Sequence, residues 1–179
     1  KKLNSIENLE NYFSKMYNEK YVSVVPSARF GLFALLLYIN KNNKNKNVII
    51  SGFSCVVVSN SVRASGCKVK YADVNKDDFL LSYESIINKI DENTIAIVIQ
   101  HIFGMVEENL IVKIRNNFPN IYIIEDCAHS LGGFYENSNV LIGKLGDFAF
   151  YSFEQSKIIT SWTGGIVTSK SRSEEHTSE

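Results

Sequence analysis

Two residues in this sequence could act as a chemical pair. Lys157 lies in Tyr151–Gly165 (YSFEQSKIITSWTGG), between a Ser-Phe strand end and a Thr/Gly-rich loop. Asp126 lies in Ile124–Ser130 (IEDCAHS), at the end of an apolar strand. A lysine amine, with an ordinary pKa of about 10.4, becomes a useful nucleophile when burial or neighbouring cations lower that value. A carboxylate beside a pyridine nitrogen keeps it protonated, so that the ring can act as an electron sink for a carbanion. An amine and an acid held by one core are what a pyridoxal phosphate (PLP) site needs. Each residue also has a plain reading: the acid as a helix cap or strand-end ion pair, the lysine as a surface residue. Neither is specific alone.

Each remaining candidate likewise has a chemical and a plain reading. Ser27 heads an apolar helix and could offer its hydroxyl and the first backbone N–H groups to an anion. Ser152, at a strand end, could do likewise. Ordinary capping explains both equally well. His129, three residues after Asp126, either orients the acid or touches a cofactor, or is a satisfied structural histidine. Phe53 and Cys55 lie in a loop where the face of a ring could be covered, with core packing as the alternative. Cys127 with His129 lacks the second ligand pair that zinc requires, so no metal is expected. Cys55 or Cys127 with His101 or His129 is an equally thin case for a cysteine hydrolase.

The elements that must position these groups follow from periodicity. Asn4–Asn18 reads as an amphipathic helix with Ile6, Leu9, Phe13 and Met16 on its apolar face. Tyr21–Val25 is a short strand, and Ala28–Asn40 is a helix so apolar that burial on more than one side is expected. Val48–Ile50 reads as a strand, the segment through Ser65 as a helix closed by Gly66, and Lys68–Val74 as a strand. Ser82–Ile90 looks helical, and Thr94–Gln100 (TIAIVIQ) is continuously apolar, as a strand covered on both faces must be. Leu110–Phe118 is a helix stopped by Pro119, followed by strands at Ile121–Ile124, Asp147–Phe153 and Gly165–Ser169. Strands alternating with helices predict an α/β domain with a mainly parallel sheet, whose ligands sit at the carboxyl ends of the strands. Ser27, Ser51–Cys55, His101, Asp126 and Ser152–Lys157 all fall at strand ends. Periodicity does not show that those ends share an edge.

Composition narrows the class. Nineteen basic residues balance nineteen acidic ones in 179, so no charge excess points to nucleic acid or an anionic membrane. The apolar runs are too short to cross a bilayer, and Lys1–Asn4 has no signal-peptide character. Three cysteines without CxxC spacing fit a reducing, cytoplasmic setting. The body is rich in Ile, Lys and Asn, whereas Arg172–Glu179 (RSEEHTSE) breaks that pattern and matches a reading frame of a common sequencing-adapter oligonucleotide. Residues 1–171 are therefore expected to be the genuine domain, and 172–179, including His176, a non-native tail without function.

Taken in order, the segments PSARFGLFALL, VIISGFSCVVVSNSV, KVKYADV, IQHIFGM, IEDCAHSLGGFY and GDFAFYSFEQSKIITSWTGGIV resemble the DegT/DnrJ/StrS family of PLP-dependent sugar aminotransferases, over about Val22 to Ser169. The resemblance implies the large domain of a fold-type I PLP enzyme, a three-layer α/β unit, without the carboxyl-terminal small domain. It implies pyridoxal 5'-phosphate as cofactor, Lys157 as the Schiff-base lysine and Asp126 as partner of the pyridine nitrogen. Ser152 and the Ala28–Arg29 backbone fall on phosphate ligands, with Ser27 heading that loop, and His129 falls beside the ring. The family's stacking aromatic aligns with Cys55, leaving Phe53 or Cys55 itself to cover the ring. Arg29 replaces a threonine, Glu154-Gln155 a His-Pro, and Trp162-Thr163 a Gly-Glu. By the same resemblance the substrates are an amino-acid donor, expected to be L-glutamate, and a nucleotide-linked keto-sugar for amino-sugar or surface-polysaccharide synthesis, in a homodimer. Related sugar dehydratases, some with histidine at the lysine position, are the near alternative, which Lys157 disfavours. A non-catalytic PLP-binding domain and a plain α/β domain are the others.

Overall fold

The computed structural model describes residues 2–18, 21–41 and 45–170. Seven strands form one sheet: β1 (Tyr21–Val25), β2 (Asn47–Ser51), β3 (Lys68–Ala72), β4 (Thr94–Gln100), β5 (Tyr122–Asp126), β6 (Phe148–Ser152) and β7 (Gly165–Ser169). Their spatial order is β1-β7-β6-β5-β4-β2-β3. Strands β6, β5, β4, β2 and β3 pair in parallel, while β7 runs antiparallel between β6 and β1. The carboxyl ends of the parallel strands, the end of β1 and the start of β7 therefore lie on one edge.

Alternate residues of the strands feed two cores. Ile49, Ile97, Ile99, Ile123 and Tyr151 pack with α1 (Lys2–Tyr17), Ile86 of α4 (Tyr83–Ile87) and α5 (Glu108–Asn117). Val48, Ile50, Ala96, Val98, Ile124 and Phe150 pack with α2 (Ala28–Asn40) and α3 (Val56–Ala64). Helices on both faces of a mostly parallel sheet make three layers, as the apolar runs require.

The helix expected over Ser82–Ile90 forms only at Tyr83–Ile87, and two expectations about burial also shift. The stripe of α1 that meets the core is Leu9, Phe13 and Tyr17, whereas Ile6 is half exposed and Met16 lies at the margin. Tyr17 takes the inner place because its ring packs 5.1 Å from that of Tyr151 and its hydroxyl accepts from Gly132 N–H. Helix α2 matches its expected bounds but is buried along one face only, by Ala28, Gly31, Leu32, Leu35, Leu36 and Asn40. Phe30, Leu37 and Tyr38 stand exposed, since the sheet and α3 cover only the inner side. No helix of the described residues is long and apolar enough to cross a membrane.

Candidate functional site

At the carboxyl edge, on the α2/α3 face, lies a cavity of about 290 Å³. All nine sequence-predicted residues line it: Ser27, Ala28, Arg29, Phe53, Cys55, Asp126, His129, Ser152 and Lys157. They arrive from the β1–α2 junction, the β2–α3 loop, the end of β5, the end of β6 and the β6–β7 loop. Folding brings together groups up to 130 positions apart in sequence (Ser27 to Lys157).

Asp126 ends β5 and is 3 % exposed. Its Oδ1 accepts from Ala128 N–H at 3.1 Å, and its other oxygen has no partner among the described residues. Burial pushes its carboxyl up to about 6, although the Ala128 N–H and the charge of Lys157 oppose that rise. Beside it in register, Gln100 at the end of β4 also lines the cavity, with a buried Oε1 that has no partner among the described residues. A costly buried acid and an orphaned acceptor at one edge need a ligand donor to satisfy them. A protonated pyridine nitrogen is such a donor, so the residues present fit the ring of PLP.

Lys157 Nζ lies 3.0 Å from His129 Nε2, and Phe103 N–H donates to His129 Nδ1 at 3.3 Å. With Nδ1 accepting from Phe103 N–H, a neutral imidazole carries its proton on Nε2, the nitrogen that faces Lys157 Nζ. Partial burial, then the charge of Lys157, lower the pKa of His129 and keep the imidazole neutral. Phe103, in a short 3₁₀ turn at Ile102–Gly104, stacks on His129 with centroids 5.7 Å apart and planes 12° from parallel. Its φ of 54° is uncommon for a bulky side chain. Phe103 thus orients His129 through both backbone and ring, and only its place in IQHIFGM hinted at a role.

At the other end, Ser27 caps α2: its Oγ accepts from Phe30 N–H at 3.3 Å. Ser152 Oγ accepts from Glu154 N–H at 3.4 Å. Capping is therefore present at both serines, and neither bond consumes the hydroxyl proton. Phe53 is half exposed at the lip and packs on Phe79, with centroids 5.9 Å apart. Cys55 is exposed at the N-terminus of α3.

Cys127 points away from this cavity into the core of α1 and α5, where burial raises its thiol well above the ordinary range. It cannot serve as the hydrolase nucleophile considered from sequence. His101, also buried, donates from Nε2 to Glu125 at 2.9 Å and accepts at Nδ1 from Glu107 N–H. Glu125 is wholly buried and accepts further bonds from Tyr135 O–H and the N–H groups of Gly143, Leu145 and Gly146. Burial works against its charge, but the His101, Gly146 and Tyr135 donors outweigh it and hold the carboxyl below its usual range. This knot anchors the Gly143–Gly146 turn to β5, next to Asp126. Sequence reasoning missed it, although an acid inside YIIED and a histidine after TIAIVIQ were its signal.

The DegT/DnrJ/EryC1/StrS aminotransferase family profile matches residues 2–178. An uncharacterized protein of Methanocaldococcus jannaschii, MJ1066, is 32% identical over 160 residues, 89% of this chain and 40% of that one. GDP-perosamine synthase of Escherichia coli O157:H7 is 27% identical over 170 residues, 94% of this chain and 46% of that one. Among solved structures, Spr1654 of Streptococcus pneumoniae in its PLP form superposes with a TM-score of 0.84 at 22% identity, over 94% of this chain and 46% of that one. This chain thus spans less than half the length of the curated relatives it matches. The profile match runs through every segment that builds the cavity, and on that ground the chain belongs to the DegT/DnrJ/EryC1/StrS aminotransferase family.

Proposed function

We propose that this chain is the cofactor-binding part of a PLP-dependent aminotransferase that moves an amino group from an amino acid, with L-glutamate the expected donor, to a nucleotide-linked keto-sugar. The observation that carries the reading is the meeting of Lys157 Nζ and His129 Nε2 in a cavity that also holds a buried, half-satisfied Asp126. Bound there, PLP supplies an electron sink for the carbanion at the donor's α-carbon.

The protein's own groups divide the work. Asp126 would accept the N–H of the ring nitrogen and keep it protonated, while Ala128 N–H holds its Oδ1. Lys157 would hold the cofactor through Nζ, and its amine, when free, would move the proton between the donor and cofactor carbons. His129 aims that amine. Ser27, Ala28, Arg29 and Ser152, which line the cavity at the head of α2, would bind the phosphate. Phe53 and Cys55 cover a ring face and keep water from it.

GDP-perosamine synthase, by its name, supports a nucleotide-sugar acceptor. The PLP and PMP forms of Spr1654 support a cofactor that alternates between aldehyde and amine. The free cysteines favour a cytoplasmic setting. Exposed Phe53, Phe103 and Trp162 around the cavity favour a homodimer, or further chain, over its mouth. Residues 1–171 are read as the large domain, with 172–179, outside the described residues, as adapter-derived.

The test is incubation with PLP and then glutamate. The wild type should gain the visible absorbance of the attached cofactor and lose it on conversion to the pyridoxamine form. Lys157→Ala should show neither change with its circular dichroism intact, and a variant that retains both would overturn the assignment. PLP binding without conversion by glutamate would support the non-catalytic alternative.

A further inference from the structure

Arg29 and Glu154 lie 125 positions apart, yet Arg29 Nη2 donates to Glu154 Oε1 at 2.8 Å. Both line the cavity, Arg29 from the first turn of α2 and Glu154 from just beyond β6. Their side chains are 49% and 51% exposed, so the pair spans the mouth. Two other ties join the same segments: Thr163 Oγ1 donates to the Pro26 carbonyl at 2.9 Å, and Ser27 bridges Gly164. The head of α2 is therefore held to the lysine-bearing loop without help from the ion pair, which leaves its purpose open.

The charges suggest that purpose. A phosphate at the head of α2 meets partial positive charge from the unpaired N–H groups. A carboxylate at the same mouth opposes it. Exposed ion pairs are weak and readily exchanged, and a guanidinium prefers a phosphate, with its larger charge and several oxygens, to one carboxylate oxygen. We propose that Arg29 and Glu154 set the cofactor's phosphate affinity with opposite signs. The Arg29 guanidinium leaves Glu154 to bind the phosphate, and Glu154 is the competing counter-ion that holds Arg29 at the mouth and weakens anion binding. The inference rests on the PLP reading above and adds a positioning residue, Glu154, which that reading does not use.

The test compares Arg29→Ala, Glu154→Gln and the double variant in the purified protein. Binding of PLP and of inorganic phosphate is measured by calorimetry, with thermal unfolding without ligand as the control for folding. Arg29→Ala should weaken both ligands about tenfold, the value of one charge-assisted hydrogen bond. Glu154→Gln should tighten both, and in the Arg29→Ala background its effect should shrink to the loss of repulsion alone. Arg29→Lys should restore part of the affinity and keeps the test open if the alanine variant folds poorly. If Glu154→Gln weakens binding or leaves it unchanged while the wild type binds PLP, the pair is a structural latch and the proposal fails. If the wild type binds no PLP, the cofactor reading fails first, and the proposal with it.

Discussion

At the scale of single residues, Asp126 is where folding and the proposed cofactor binding oppose each other. Its carboxyl, ordinarily near 3.8, is raised to about 6 by burial, with the Ala128 N–H and Lys157 recovering only part of that cost. Between about pH 4 and pH 6 the folded chain keeps a proton that the unfolded chain releases. Stability without cofactor should therefore fall as pH rises through that window, by on the order of 3 kcal/mol from this group. Asp126→Asn should remove the dependence. Without cofactor the variant should match the wild type near pH 4 and exceed it by that margin at pH 8, as denaturant unfolding at the two pH values would show. On the proposed function, the same variant should bind PLP but convert it slowly with glutamate, because an amide cannot hold the ring nitrogen in its protonated form. Equal unfolding midpoints at pH 8 would refute the strain assigned to Asp126.

At the scale of elements, the cavity depends on two close approaches. A Cβ on Gly165 would lie 2.7 Å from both Ala28 N and Tyr151 O, so no side chain fits where β7 passes between the head of α2 and β6. Gly165→Ala should push α2 away and cost at least ~2 kcal/mol, since the blocking atoms are backbone. The loss should appear as a lower unfolding midpoint together with weaker PLP binding. On the other side of the sheet, Glu125 ties β5 to the Gly143–Gly146 turn through three N–H groups, His101 and Tyr135. Glu125→Gln keeps the shape but replaces an acceptor by a donor among donors. It should cost about 2–4 kcal/mol in denaturant unfolding, far more than an exposed substitution. A loss under 1 kcal/mol would show that the knot does not anchor β5.

At the scale of the whole molecule, the cavity is open on the side where Phe53, Phe103 and Trp162 stand exposed. Trp162 is the sole tryptophan, 76% exposed and next to Thr163 at the lip. Its emission should be that of a water-exposed indole and should be quenched as PLP binds, a titration that needs no turnover. Bound PLP with unchanged Trp162 emission would place the cofactor away from this loop.

Local pattern was enough for most elements. Ala28–Asn40, Thr94–Gln100 and Gly165–Ser169 have the bounds their periodicity predicts, because burial of alternate or helically spaced apolar residues leaves a short chain few options. The order of six motifs around Lys157 was likewise written in the chain itself. It could not say which face of α2 would stay bare, or that Tyr17 rather than Met16 would turn inward, since both depend on which neighbour arrives. Nor could it reveal the Glu125 knot or the Arg29–Glu154 pair, whose partners are distant in sequence and carry no periodic signal. The meeting of Asp126, His129 and Lys157 was decided by strand order. Parallel pairing of β6 beside β5 puts the loop that follows β6 on the same carboxyl edge as Asp126, and the antiparallel start of β7 at that edge keeps it there, which only long-range pairing can do.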